Sequence, residues 1–197
     1  CCYPRTPPVP FREDDIWNGY PEPTNGPYAQ SKRLMMDLGR AYADQHGFAS
    51  AFAVLGNLYG PGDDLDIDRA HVVAALIMRC LNRPDELVVW GTGRATREHL
   101  YVEDAAEGML AMARWARPEP LNIGTGREVS VADLAREVAR ATGFSGPIRF
   151  DDSKPDGQPR KVMDCSKAAA ALEWTANTSL TDGLDRTVAW YREQRGE

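Results

Sequence analysis

The sequence predicts an α/β protein with a mainly parallel sheet. Three observations carry the prediction. Short apolar runs without polar alternation, such as Ala51-Phe52-Ala53-Val54-Leu55, suit strands buried on both faces. Longer segments with apolar residues at helical spacing lie between such runs. The two kinds alternate in the order loop, helix, strand, helix, strand, helix, strand, helix, strand, helix, helix, the pattern of βαβ units rather than of hairpins.

Pro4 to Asn25 is rich in Pro, Asp, Glu and Asn, with Trp17 and Tyr20 interleaved. Proline removes backbone donors and fixes φ, so this reads as a long loop, and its aromatic residues favour an ordered one. A helix is expected from Pro27 to His46, with Leu34, Met35, Leu38 and Tyr42 at helical spacing, Met35 and Met36 as core filling, and Gly47 as the stop. The strand 51–55 ends in Gly56-Asn57-Leu58-Tyr59-Gly60-Pro61-Gly62, read as a loop. Ligands on open α/β sheets bind beyond the carboxyl ends of strands, so this loop is a candidate site edge. Asp63 to Asp68 is acidic and loop-like. His71 to Leu81 reads as an apolar helix carrying Arg79, and Leu87 to Trp90 as a strand running into the turn Gly91-Thr92-Gly93. Arg94, Arg97 and His99 follow, and then a helix from about Tyr101 to Ala116. Asn122-Ile123-Gly124-Thr125-Gly126 reads as a strand end and turn. Ser130 is placed to cap a helix over 131–142 that Gly143 closes. A strand at 147–150, a loop at 151–160 and helices near 166–172 and 180–195 complete the chain.

The 197 residues suffice for one domain or one and a half. A net charge of −6 argues against a general nucleic-acid binder, although a few local arginines could still hold an anionic small ligand. No apolar run is long enough to span a bilayer, and no membrane partner is expected. The four cysteines, Cys1, Cys2, Cys80 and Cys165, show no metal-ligand spacing, so no metal is expected and a reducing cytoplasm is the default. The chain opens on Cys1-Cys2-Tyr3-Pro4 without an initiator methionine, and a preceding segment is expected.

Tyr28 and Lys32 form a Y-x-x-x-K pair at the start of the first helix. Residues four apart project from one face. A cation beside a phenol favours the phenolate, and such a tyrosine can pass a proton to or from a carbonyl or alcohol oxygen. By itself the pair is equally well a buried tyrosine and a solvated lysine. A lone arginine is more often a solvated charge than a ligand, which is the reading for Arg33, Arg114 and Arg136.

In order along the chain stand C-x-Y-P, N-x-P-Y-x-x-x-K, N-L-Y-G-P, a helix opening on His71, V-V-W-G-x-G-x-x-x-R-E, Y-V-E-D, N-I-G-T-G and S-K-P-D-G-x-P-R-K. This order resembles the extended short-chain dehydrogenase/reductase superfamily of nucleotide-sugar epimerases and reductases. Within it, Cys1, His71, Trp90-Gly91 with Arg97, and Ser153 to Gly157 resemble the GDP-L-fucose synthase family. The likeness runs from Cys1 to about Trp190.

The resemblance implies the carboxyl-terminal part of a Rossmann-type doubly wound parallel sheet plus a smaller α/β substrate-binding domain. Residues 1–60, with parts of 98–126, would belong to the NAD(P)-binding half, and 61–97 with 127–197 to the sugar-nucleotide half. It implies 3,5-epimerisation of GDP-4-keto-6-deoxy-D-mannose and then NADPH-dependent reduction at C4. Cys1 and His71 would move protons at C3 and C5, chemistry that suits a thiolate and an imidazole. Tyr28 would protonate the forming alkoxide, with Lys32 supporting it and holding the nicotinamide ribose. Leu55, Gly56, Asn57 and Leu58, in place of the family's usual P-T-N-L, would lie beside the nicotinamide, with His71 also at the cofactor. Arg79 and Arg97 would contact the diphosphate, Trp90 would pack near the sugar nucleotide, and Lys154 and Asp156 would hold its other end. The serine partner of the tyrosine and the G-x-x-G-x-x-G phosphate turn fall outside these 197 residues, which leaves an unpaired sheet edge to be expected. A homodimer and a cytoplasmic location are implied in the same way. Another nucleotide-sugar epimerase, dehydratase or 4-ketoreductase and a non-catalytic sugar-nucleotide-binding fragment are the alternatives.

Overall fold

The computed structural model describes residues 2–67 and 69–197. In chain order the elements are α1 (Gly26–His46), β1 (Phe52–Leu55), β2 (Asn57–Tyr59), α2 (Val72–Leu81) and β3 (Leu87–Trp90). Then come β4 (Thr96–Arg97), β5 (His99–Tyr101), α3 (Val102–Trp115), β6 (Pro120–Ile123) and β7 (Val129–Ser130). The last five are α4 (Val131–Thr142), β8 (Ile148–Asp151), β9 (Arg160–Lys161), α5 (Ser166–Leu172) and α6 (Leu180–Arg195). The protein is mixed α/β and its strand pairs are mainly parallel, as the alternation predicts.

Two compact units are present. The first comprises Cys1–Gly56, Asp104–Gly126 and Val162–Ala176. The second comprises Asn57–Glu103, Arg127–Lys161 and Asn177–Glu197. Their bounds cut the chain differently from the sequence expectation: residues 162–176 join the first unit, and 57–60 join the second.

In the first unit β1 and β6 pair in parallel, from Phe52 beside Pro120 to Leu55 beside Ile123. Among the described residues they form a two-stranded sheet, so β1 has one unpaired edge. Helix α1 crosses this sheet closely. A Cβ at Gly39 would strike the Phe52 ring, so only glycine permits the approach. Gly47 ends the helix in the left-handed conformation, its N–H donating to the Ala43 carbonyl at 2.9 Å and the Phe48 N–H to the Tyr42 carbonyl at 3.3 Å. The loop before α1 contains two short 3₁₀ turns, Glu13–Trp17 and Pro23–Asn25. Its Tyr3, Phe11 and Ile16 pack with Met36, Val54 and Met163 in one core.

Two readings of α1 are corrected. Its buried face is Ala29, Arg33 and Met36, spaced as one helical stripe. Leu34, Met35, Leu38 and Tyr42 are exposed instead. The spacing shows that an apolar stripe exists, but it cannot tell whether the sheet or something else covers it. Arg33, read as a surface charge, is only 6% exposed.

In the second unit, Ser130 caps α4 by accepting the Asp133 N–H at 3.0 Å, and Gly143 closes it with φ 68°, both as predicted. Leu134 and Val138 of α4, Ile77 of α2 and Leu184 and Val188 of α6 share one core with Leu87 and Val89 of β3. Each fully buried side chain of this size contributes about 1.5–3 kcal/mol. Strand β3 pairs in parallel with β8, and β2 with β5. Strands β7, β4 and β9 make a third small sheet. Asn57 to Tyr59, read as loop, is therefore strand β2. Strands of two or three residues are too short to show a period, and their stability comes from partners far along the chain.

Candidate functional site

Tyr28 and Lys32 lie on the first turns of α1, where Pro27 starts the helix without losing a needed donor. The Ser31 hydroxyl donates to the Tyr28 carbonyl at 2.7 Å. The Lys32 ammonium sits 5.2 Å from the centre of the Tyr28 ring. Tyr28 is 57% exposed, so its hydroxyl can be reached from outside this unit. The Y-x-x-x-K pair is thus a contact and not only a spacing.

Cys1 lies outside the described residues. Cys2 and Tyr3 are buried, and Arg33 and Asn122, neither of them expected at the site, bond to them. The Arg33 Nε donates to the Cys2 carbonyl at 2.8 Å and its Nη1 to the Gly19 carbonyl at 2.9 Å. The Tyr3 hydroxyl donates to Asn122 Oδ1 at 2.5 Å. Asn122 Nδ2 donates to the Phe11 and Asp164 carbonyls, each at 3.0 Å, and its N–H donates to the Glu13 carboxylate at 2.8 Å. Burial raises the Tyr3 pKa well above its ordinary value, so its hydroxyl is a fixed donor and not an acid. A polar residue inside the carboxyl end of an apolar strand was the one available sign of Asn122. On the same unit, Leu55 ends β1 and the Gly56 N–H donates to the Ile123 carbonyl at 2.9 Å.

The second unit carries the other expected residues. Asn57 spends its amide on the Glu98 carbonyl at 2.9 Å, while Leu58 beside it is exposed. His71 occupies the N-cap of α2 with its Nδ1 3.9 Å from an Asp63 carboxylate oxygen. Arg79, in the last turn of α2, donates to the Val88 carbonyl of β3 at 3.4 Å.

Trp90, at the end of β3, is 63% exposed, and the Lys154 ammonium lies 5.7 Å from its ring centre. An exposed indole face is a surface on which a flat group can stack, and the Lys154 ammonium beside it can pair with an anionic one. Asp156 accepts the N–H and the hydroxyl of Thr92, each at 2.7 Å. These bonds, with Arg94 and Arg97 nearby, hold its carboxyl below the usual carboxylate range. Gly91 has φ 86°, and a Cβ there would collide with the Asp156 carboxylate. Arg97 is half-buried and donates to the Thr96 carbonyl at 2.7 Å and the Asp156 carbonyl at 3.5 Å. Burial lowers its pKa somewhat, Asp156 opposing. Trp90, Arg97, Lys154 and Asp156 are therefore brought together, with Arg79 reaching the strand that carries Trp90.

His99, one residue past the buried Glu98, is 7% exposed and its Nδ1 has no partner. Burial first, and Arg97 second, depress its pKa to about 4. It stays neutral and is not a proton shuttle at neutral pH. Among the described residues no cluster of His, Cys, Asp or Glu is placed to hold a metal, and no helix is long and apolar enough to cross a membrane.

Residues 1–124 match the NAD dependent epimerase/dehydratase family. Over 196 residues the chain is 41% identical to GDP-L-fucose synthase 1 of Arabidopsis thaliana, covering 97% of this chain and 60% of that protein. Over 210 residues it is 35% identical to the GDP-L-fucose synthase of Escherichia coli (strain K12), covering 99% and 65%. The crystal structure of a GDP-L-fucose synthetase from Naegleria fowleri bound to NADP superposes with a TM-score of 0.89 at 29% identity, over 100% of this chain and 64% of that one. The chain spans about three fifths of the length of the curated relatives it matches.

Proposed function

The chain belongs to the NAD dependent epimerase/dehydratase family, and on that premise we propose that it supplies the acid–base and sugar-nucleotide side of a GDP-L-fucose synthase. The reaction is 3,5-epimerisation of GDP-4-keto-6-deoxy-D-mannose followed by reduction at C4 with NADPH. The observation that carries the reading is the Lys32 ammonium against the exposed Tyr28 phenol, in a chain 41% identical to a protein of that name.

The C4 carbonyl of the substrate acidifies the protons at C3 and C5. In the proposal, Cys1 and His71 remove each proton and return one to the opposite face, leaving the carbonyl intact. NADPH, when bound, supplies the hydride that reduces C4. Tyr28 then gives its proton to the C4 oxygen, and Lys32 beside it offsets the charge left on the phenol. The exposed Tyr28–Lys32 face supports the nicotinamide end of such a cofactor in this reading, which also assigns Leu55, Gly56, Asn57 and Leu58 to the nicotinamide. Lys32 would hold the ribose. The first unit serves as the cofactor half and the second as the sugar-nucleotide half.

For the GDP-sugar, the bare Trp90 face under Lys154 and the half-buried guanidinium of Arg97 support a diphosphate-bearing ligand. Arg79 adds a second guanidinium. Asp156 contributes by fixing the turn at Thr92. The exposed stripe Leu34, Met35, Leu38 and Tyr42 supports a homodimer through α1. A cytoplasmic setting goes with the reading.

The test is product identification. The active polypeptide that contains this chain is expected to convert GDP-4-keto-6-deoxy-D-mannose and NADPH to GDP-L-fucose, one NADPH per product. No turnover of that substrate, with turnover of another nucleotide sugar, would assign the chain to a different reaction of the family.

A further inference from the structure

We propose that Arg33 is a positioning residue for epimerisation, setting the peptide that follows Cys1 against the helix that bears Tyr28 and Lys32. The proposal rests on the reading of Cys1 as a proton-transfer base.

Arg33 comes directly after Lys32 on α1, yet the two side chains part company: Lys32 is exposed and Arg33 is buried. Arg33 turns under the helix and forks to two carbonyls of the irregular segment before it, those of Cys2 and Gly19. That segment has no long helix, and isolated bridges such as Pro4 to Pro21 and Phe11 to Met163 hold other points of it, so the Arg33 bonds are what tie its Cys2 and Gly19 carbonyls to α1. The Trp17 ring lies 5.8 Å from the guanidinium and closes the pocket. From the opposite side Asn122, at the end of β6, holds Tyr3. The Cys2–Tyr3 peptide is thus gripped between α1 and β6.

Packing alone does not account for this residue. Burial pushes the guanidinium below its ordinary pKa with the Cys2 thiol opposing, its Nη2 has no partner, and the groups it hydrogen-bonds are neutral carbonyls. An apolar side chain would fill the space without desolvating a charge. What the planar fork adds is geometry, because it holds two points of the loop at fixed distances from one helix. A base that must reach carbon-bound protons needs such placement, since a displacement of about 1 Å can cost about 100-fold in rate.

The test compares two rates in the active polypeptide that contains this chain. One is solvent deuterium exchange into C3 and C5 of GDP-4-keto-6-deoxy-D-mannose. The other is hydride transfer to the already epimerised 4-ketone. Their ratio does not depend on how much protein is folded, so a merely destabilising change leaves it fixed. Arg33→Met is expected to lower the ratio by about 100-fold, and Arg33→Lys by less. If Arg33→Met does not fold, Arg33→Gln, which keeps a donor, is read in the same way. An unchanged ratio overturns the proposal. Cys1→Ser, run alongside, separates the two layers. If it abolishes exchange while the Arg33 variants keep the ratio, only the positioning role fails; if it leaves exchange intact, the base reading fails and takes this proposal with it.

Discussion

Asp156 accepts two hydrogen bonds from Thr92, one from the backbone N–H and one from the hydroxyl, both at 2.7 Å. A carboxylate engaged in this way shapes the turn beside Trp90 before it can touch a ligand. Asp156→Ala, which removes both bonds, is therefore expected to raise the KM for the sugar nucleotide on the order of tenfold, and Thr92→Val, which removes the hydroxyl's bond and keeps the backbone one, by a smaller factor. The double variant should be little worse than Asp156→Ala alone, because the bond lost in Thr92→Val is one of the two already lost there. A large effect of Asp156→Ala with none of Thr92→Val would make Asp156 a direct ligand instead. Steady-state kinetics of the four proteins decide it.

Replacing Tyr28 by Phe removes the hydroxyl while leaving the ring that Lys32 covers. Hydride transfer to C4 is expected to fall about 100- to 10,000-fold, the usual worth of a positioned general acid. Deuterium exchange at C3 and C5 should continue, because no C4 protonation is needed for it. NADPH oxidation and mass spectrometry of recovered substrate measure the two separately. Normal reduction by the variant would remove Tyr28 from the mechanism.

What was legible in the sequence follows from the range of the interaction involved. The Ser130 cap, the Gly47 and Gly143 stops and the parallel strands β1, β3 and β8 rest on local chemistry, and they stand where the pattern puts them. The Tyr28–Lys32 contact spans one helical turn and was readable for the same reason. The grip on Cys2 and Tyr3 was not. Arg33 and Asn122 act on partners 31 and 119 residues away, and the one local sign, a polar residue in an apolar strand end at Asn122, does not name its partner. Strand β2 was missed likewise, since its only partner described is β5, some forty residues on. The stripe on α1 shows a third limit: periodicity reveals a face but not its neighbour.

Asn122 gathers four residues, Tyr3, Phe11 and Glu13 of the stretch before α1 and Asp164 before α5, and it is wholly buried. Asn122→Leu keeps the volume but takes the partner from the Tyr3 hydroxyl and the side-chain donor from the Asp164 carbonyl, while the Phe11 carbonyl keeps the Asp164 N–H. A cost of about 2–6 kcal/mol is expected, because each buried group left unpaired costs about 1–3 kcal/mol. Tyr3→Phe removes one donor from the same network and should cost about 1 kcal/mol. Urea denaturation of both variants tests the order. A milder loss for Asn122→Leu than for Tyr3→Phe would mean that the network is not centred on Asn122.

His99 predicts a loss of stability on mild acidification. Its pKa is about 4 in the folded chain against an ordinary 6.5, because burial disfavours the imidazolium. Between those values the unfolded chain binds the proton and the folded one does not. Stability is therefore complete above pH 6.5 and is lost as pH falls toward 4, by up to about 3 kcal/mol from this group. The carboxylates held below their ordinary range, Asp64, Asp156 and Asp164, act in the same direction, but only from about pH 4 downward. The two contributions thus occupy separate windows. His99→Phe places an uncharged ring in the strand, and it is expected to flatten the profile between pH 6.5 and 4.5 while leaving the steeper acid limb. Denaturation midpoints at half-unit pH steps would reveal this, and an identical slope in both proteins through that window would mean that His99 takes up its proton without unfolding.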